Sequence, residues 1–211
     1  MTKFKKLFQF FVTLGVIFGS FLSCASYASV TAAENENHKT LVEESLPEDF
    51  VIDGNNCLTQ YNGYAEVVTI PENVLNISYG VFMEHTEIKA VAFSEGMKSV
   101  DEYAFYGCSG LHEIILPESI ENVGRLAFGS CQNIEIFYIG KNLKSWGEFA
   151  LWDCNSLSYI SVNEDNTDYS VCDGILYTKD FKKLIFCPCG REGIVDLHEN
   201  TITIDSYAFF K

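Results

Sequence analysis

Positive charge is scarce in this chain. Its 211 residues hold 14 Lys and Arg against 29 Asp and Glu, a formal charge of −15. A surface that acidic repels phosphate backbones, which argues against nucleic-acid binding. Long apolar runs are equally scarce. One exists, near the N-terminus, so a multi-span membrane protein is excluded. Catalytic motifs are absent too: there is no H-E-x-x-H, no G-x-S-x-G and no phosphate-binding glycine loop. The four histidines, at 38, 85, 112 and 198, share no ligand spacing. No enzyme activity, metal or cofactor is therefore expected. What the chain does have is apolar content, 47%, with 14% aromatic, enough for a real core.

The N-terminus reads as an export signal. Lys3, Lys5 and Lys6 precede an apolar stretch from Leu7 to about Leu22, and the small residues Ser26 and Ala28 follow. Cleavage after Ala28 is preferred, with Ala33 second. The first cut removes three lysines and no acids, taking the formal charge from −15 to −18. No membrane span then remains in the mature chain. Phe21-Leu22-Ser23-Cys24 resembles a degraded lipobox, its Leu one place late, so lipid anchoring at Cys24 stands as a rival to plain secretion or surface display. Residues 29–47 are polar, without a sustained apolar period, and read as a linker. The repeat domain is assigned to 48–211.

A 23-residue repeat dominates that domain. Cys108, Cys131 and Cys154 lie 23 apart, and their neighbours move with them. Ala104-Phe105, Ala127-Phe128 and Ala150-Leu151 share one slot, and Ile114, Phe137 and Ile160 another. Stepping back from Cys108 by the same period reaches His85 and then Asn62. The unit reads C-x-x-L-x-x-I-x-L-P-x-x-I-x-x-V-G-x-x-A-F, centred on the L-x-x-L-x-L strand pattern of leucine-rich repeats. The expected fold is a leucine-rich-repeat solenoid: a parallel β-ladder with irregular or 3₁₀ returns. Its strands are expected at 66–70, 89–93, 113–116, 135–139 and 158–162. One coil cannot bury its apolar face alone, so stability comes from stacking. One cysteine per coil at a fixed slot reads as a buried column of thiols, each packing as a small hydrophobe.

The phrases YAFYGCSGLHEIILPESIENVGRLAF and FALWDCNSLSYISV resemble the BspA-like leucine-rich repeat family, and FVIDGNNCLTQYNGYAEVVTIPENV resembles that family's N-terminal segment. The likeness covers roughly residues 50–211. Ser94 and Gly140 depart from it where proline follows the strand, and His85 where cysteine stands. The resemblance implies a bacterial secreted or surface protein, with adhesion to host matrix proteins or other cells a role of some members.

The period breaks after Val162. Two strand-like runs, Asp173–Tyr177 and Lys183–Phe186, flank a polar Thr178–Lys182, so a β-hairpin insertion is expected at about 169–187. This family often carries such a hairpin between repeat blocks. If Tyr177 pairs with Leu184, extending the register sets Cys172 opposite Cys189, a candidate cross-strand disulfide. A C-x-C metal or redox site at Cys187 and Cys189 has no further ligands to complete it. Residues 163–168 cluster oxygen ligands of the kind calcium takes, but without the glycine and spacing of a calcium loop; a solvated turn is the alternative. The lattice resumes with Leu197, Ile204 and Tyr207-Ala208-Phe209, and Lys211 falls before the next cysteine slot. The last repeat reads as incomplete, suggesting a fragment or an end that pairs with another chain.

In L-x-x-L-x-L the outward positions flank the two later apolar residues. They are Val67 and Thr69, Ala90 and Ala92, Glu113 and Ile115, Ile136 and Tyr138, Tyr159 and Ser161. The candidate ligand-binding face is therefore Glu113, Ile115, Ile136, Tyr138, Tyr159 and Ser161, an aliphatic and aromatic patch. Lateral packing on the sheet is the competing reading. The functional expectation is a secreted or cell-surface, adhesin-like binding module for an extracellular protein or polysaccharide. A structural spacer without its own ligand site is the runner-up.

Overall fold

The computed structural model describes residues 43–191 and 193–209. The signal segment 1–28, Cys24 and most of the linker lie outside the described residues. A 3₁₀ turn at Pro47–Asp49 leads into an antiparallel hairpin, β1 (Phe50–Ile52) and β2 (Cys57–Tyr61). Each of the next four coils then carries two short strands: β3 (Val67–Thr69) and β4 (Asn76–Ile77), β5 (Ala90–Ala92) and β6 (Ser99–Val100), β7 (Glu113–Ile115) and β8 (Asn122–Val123), β9 (Ile136–Ile139) and β10 (Ser145–Trp146). The fifth contributes β11 (Tyr159–Val162).

The first strands of the coils stack in parallel in two groups, β3 on β5 and β7 on β9 on β11, in the register the period demands. The return is more regular than the expected irregular path. Its two-residue strands make a second parallel ladder, β2-β4-β6-β8-β10, edged by β1. Polar residues carry half of this ladder, so its apolar pattern is only one residue deep: Ile77, Val100 and Val123 point inward and are fully buried.

Between the two ladders the chain turns through left-handed residues at fixed slots. Gly80, Tyr103, Leu126 and Phe149 form one column of positive φ, and Glu84, Gly107, Ser130 and Asp153 a second, each at 23-residue intervals. Non-glycine residues meet a strain cost there, which the inter-coil hydrogen bonds offset. In three successive turns a comb of N–H groups donates to the following coil: Gly80, Phe82 and Glu84; Tyr103, Phe105 and Gly107; Leu126, Phe128 and Ser130.

Inside this frame each slot repeats one contact. The Phe82, Phe105 and Phe128 rings stack almost parallel, with centroids 4.7 and 5.3 Å apart. Cys108, Cys131 and Cys154 are fully buried, and each thiol donates to the carbonyl of the phenylalanine 26 residues before it, at 2.9, 3.0 and 3.2 Å. The column is thus structural, as its spacing implied. His85 fills the same slot one coil earlier and meets Glu87 through Nδ1 at 2.6 Å.

The N-terminal edge is covered by more than the β1–β2 hairpin. Ser45 N–H donates to Val67, and Val67 N–H to Glu43, so the end of the polar stretch assigned as linker adds to the edge of β3. Backbone pairing at a sheet edge asks nothing of side chains, which is why polarity did not reveal it.

After β11 the chain forms an antiparallel meander, β12 (Tyr169–Cys172), β13 (Ile175–Thr178) and β14 (Lys183–Phe186), and β15 (Thr203–Ile204) pairs in parallel with β14. Tyr177 pairs with Leu184 as expected. Cys172, however, lies opposite Ile175 and not opposite Cys189. Asp173 and Gly174, both at positive φ, make a two-residue turn that folds β12 back on the far side of β13. Cys172 packs with the hairpin cluster of Ile175, Tyr177, Leu184, Cys187 and Ala208, whereas Cys189 packs on the solenoid core. Both stand as thiols with no bridge between them. The repeat does resume on this insertion: Cys187 N–H donates to Ala208 at 2.8 Å, repeating the bond from Phe82 to Ala104.

Candidate functional site

The outward slots align across the first ladder in the predicted register. Glu113, Ile136 and Tyr159 are direct neighbours, as are Ile115, Tyr138 and Ser161. Their inward partners Ile114, Phe137 and Ile160 are buried, which fixes the outer face by strand alternation. β5 and β7 are not joined by ladder pairing, so the face has two parts. Toward the N-terminus it shows the small side chains of Thr69, Ala90 and Ala92. Toward the C-terminus it shows the six candidate residues. Ile115 is 43% exposed, while Ile136, Tyr138, Tyr159 and Ser161 are half-buried. Partial burial on this face raises the Glu113 carboxyl above its ordinary range.

Tyr138 differs from the other five. Its phenol donates to Glu118 Oε1 at 2.7 Å, and Asn163 Nδ2 donates both to Glu118 at 2.9 Å and to the phenol oxygen at 3.1 Å. Lys141 N–H closes the second Glu118 oxygen at 2.6 Å. Burial, then the Glu118 bond, pushes the Tyr138 phenol up to about 12. Burial alone raises the Glu118 carboxyl, but the three donors outweigh it and hold it below its ordinary range. Tyr138 therefore offers its ring face and not its hydroxyl. Sequence reasoning missed Glu118 and Asn163. The signal was available: residues 20 or 25 apart in a 23-residue solenoid sit on adjacent coils.

The oxygen-rich turn 163–168 is spent on structure. Asn163 Oδ1 accepts from Asp165 N–H; Asn166 Oδ1 accepts from Asp168 and Tyr169 N–H, and its amide donates to the Gly140 and Leu143 carbonyls. Asn166 is 1% exposed, and it anchors the departure from the repeat. Among the described residues no cluster of His, Cys, Asp and Glu has the geometry to hold a metal. No helix among them is long and apolar enough to cross a membrane.

Residues 52–172 match the model of the BspA type leucine rich repeat region, in six copies. No curated protein matches the chain. Among solved structures it is similar to a leucine-rich repeat protein from Eubacterium ventriosum, with a TM-score of 0.62 and 22% identity over 71% of this chain and 39% of that one. It is similar to the pneumococcal vaccine antigen PcpA, with a TM-score of 0.54 and 24% identity over 68% of this chain and 42% of that one. A leucine rich repeat protein from T. pallidum gives 0.50 and 17%, over 77% and 81%. The chain spans about two fifths of the first two. Likeness at these identities carries the fold.

Proposed function

The chain belongs to the BspA-type leucine-rich repeat family, and from that premise we propose that it is a secreted or cell-surface, non-enzymatic binding module of the adhesin kind. Its partner is an extracellular protein, held on the strand face. The observation that carries this is the in-register block of Ile115, Ile136, Tyr138 and Tyr159. An apolar centre edged by Glu113 and Ser161 has the anatomy of a protein interface. A polysaccharide fits this face less well, because Glu118, Asn163 and the Tyr138 hydroxyl are already engaged with one another.

The test is capture of the purified chain by panels of extracellular matrix proteins and polysaccharides, beside the variants Ile115→Asp and Tyr159→Ala. Wild type is expected to bind a protein, and each variant to lose at least about tenfold, roughly 1.4 kcal/mol, with an unchanged melting temperature. Equal capture of wild type and variants overturns the assignment of the face. No capture of a folded wild type favours a structural spacer.

A further inference from the structure

A second surface carries N–H donors that no other described residue takes up. It is a shallow depression where the last regular return, around β10, meets the insertion. Trp146, Glu148, Phe149 and Trp152 form one wall, and Ile185, Asp205 and Tyr207 stand on the other. The chain has two tryptophans, and both line this place. The repeat does not require them. One coil earlier the Trp146 slot holds Val123, its ladder partner, and the Trp152 slot holds Gly129.

The donors here are left over from the repeat's own geometry. The N–H comb that links each return to the following coil has a fourth set, Phe149, Leu151 and Asp153, of which Phe149 lines the depression. This set forms no backbone hydrogen bond among the described residues, because the period breaks before the coil that would accept. Neither indole N–H has a partner among them. The carbonyls of the same turn face the other way, toward the preceding coil, where Glu148, Ala150 and Trp152 accept from Leu126, Phe128 and Ser130. The Glu148 side chain is exposed and forms no ion pair among the described residues, whereas Asp205 is held by Lys183 at 2.6 Å.

We propose that this depression binds a neutral saccharide, one ring lying against Trp152 and Trp146 with its hydroxyls meeting the Phe149 and indole N–H groups and the Glu148 carboxylate. This site is separate from the strand face, and its ligand belongs to a different class. A sugar ring offers apolar C–H faces to aromatic surfaces and hydroxyls that both donate and accept. An anionic ligand would face two carboxylates, with Lys183 already paired. A purely apolar ligand would leave the donors unpaired. An extended peptide would set its own N–H groups against an edge that presents donors and no carbonyls.

The two tryptophans supply the readout. Intrinsic fluorescence of the full chain is titrated with glucose, galactose, mannose, N-acetylglucosamine and N-acetylgalactosamine, and with an unrelated extended peptide. At least one sugar is expected to give a saturable change in emission. Trp152→Ala and Glu148→Ala should each weaken it about tenfold or more, while Ile115→Asp leaves it intact. Glu148 is exposed, so its variant keeps the proposal testable should Trp152→Ala fail to fold. No saturable response to any sugar overturns the proposal, as does a response unchanged in Glu148→Ala and Trp152→Ala. A response to the peptide alone overturns the ligand class. A folded wild type that captures no protein but keeps the sugar response counts against the strand face only.

Discussion

The Tyr138 hydroxyl donates to Glu118 Oε1 at 2.7 Å, joining the strand of one coil to the loop of the coil before it. With Asn163 from the coil after, three layers are tied at one carboxylate. The outward strand face is therefore anchored at Tyr138, whose phenol is a structural group.

Acid should loosen this tie in a defined direction. Glu118 has a folded pKa held below the unfolded value, about 4.3. Its contribution is then fully present above that pH and is lost as pH falls through the folded pKa. Tyr138→Phe removes one donor and should cost about 1 kcal/mol at neutral pH, a figure kept small by the solvent around Glu118. Chemical denaturation from pH 7 to pH 3 should show a shallower acid loss in Tyr138→Phe than in wild type. Parallel pH profiles would place the tie elsewhere.

Thiol reactivity separates the cysteine column from the rest. Burial pushes Cys108 up to about 12 and holds Cys131 and Cys154 well above the ordinary thiol range, so none offers thiolate at pH 8. Cys57 and Cys172 are half-buried. In the folded chain a disulfide reagent should modify Cys57 and Cys172 fast, and the three column thiols at the rate of unfolding. Mass spectrometry of peptides after timed labelling reads this directly. Rapid labelling of Cys131 would contradict the column.

Two glycines should differ sharply from a third on substitution. A Cβ on Gly124 would lie 2.5 Å from Glu102 N, and one on Gly147 2.4 Å from Arg125 N, because consecutive coils touch there through backbone. Either alanine variant should lose about 3 kcal/mol or more, since backbone cannot step aside. Gly54→Ala meets nothing within 4 Å and is expected to stay within about 0.5 kcal/mol of wild type. Urea midpoints of the three variants give the comparison.

Periodicity made much of this molecule legible in advance. A 23-residue recurrence of apolar slots can be satisfied only by stacking coils. It therefore determined the parallel ladder, the thiol column, and which of Glu113, Ile115, Ile136, Tyr138, Tyr159 and Ser161 face outward. Strand alternation is a local property, and so is the pairing of Tyr177 with Leu184. The second ladder was hidden because its two-residue strands β4, β6 and β8 contribute a single buried residue each. The path of Cys172 was hidden because a two-residue turn at Asp173-Gly174 sends the chain to the other side of β13, and register cannot be extended through a turn.

Only the tertiary structure decided which polar groups are free. Glu118 and Asn163 look like loop residues until stacking brings both to Tyr138. The N–H groups of Phe149 and Leu151 look like every other backbone amide until the following coil is diverted. Hydrogen-bond satisfaction between coils depends on what lies one layer away, about 23 residues along the chain, and a break in the period changes it without changing the residues themselves.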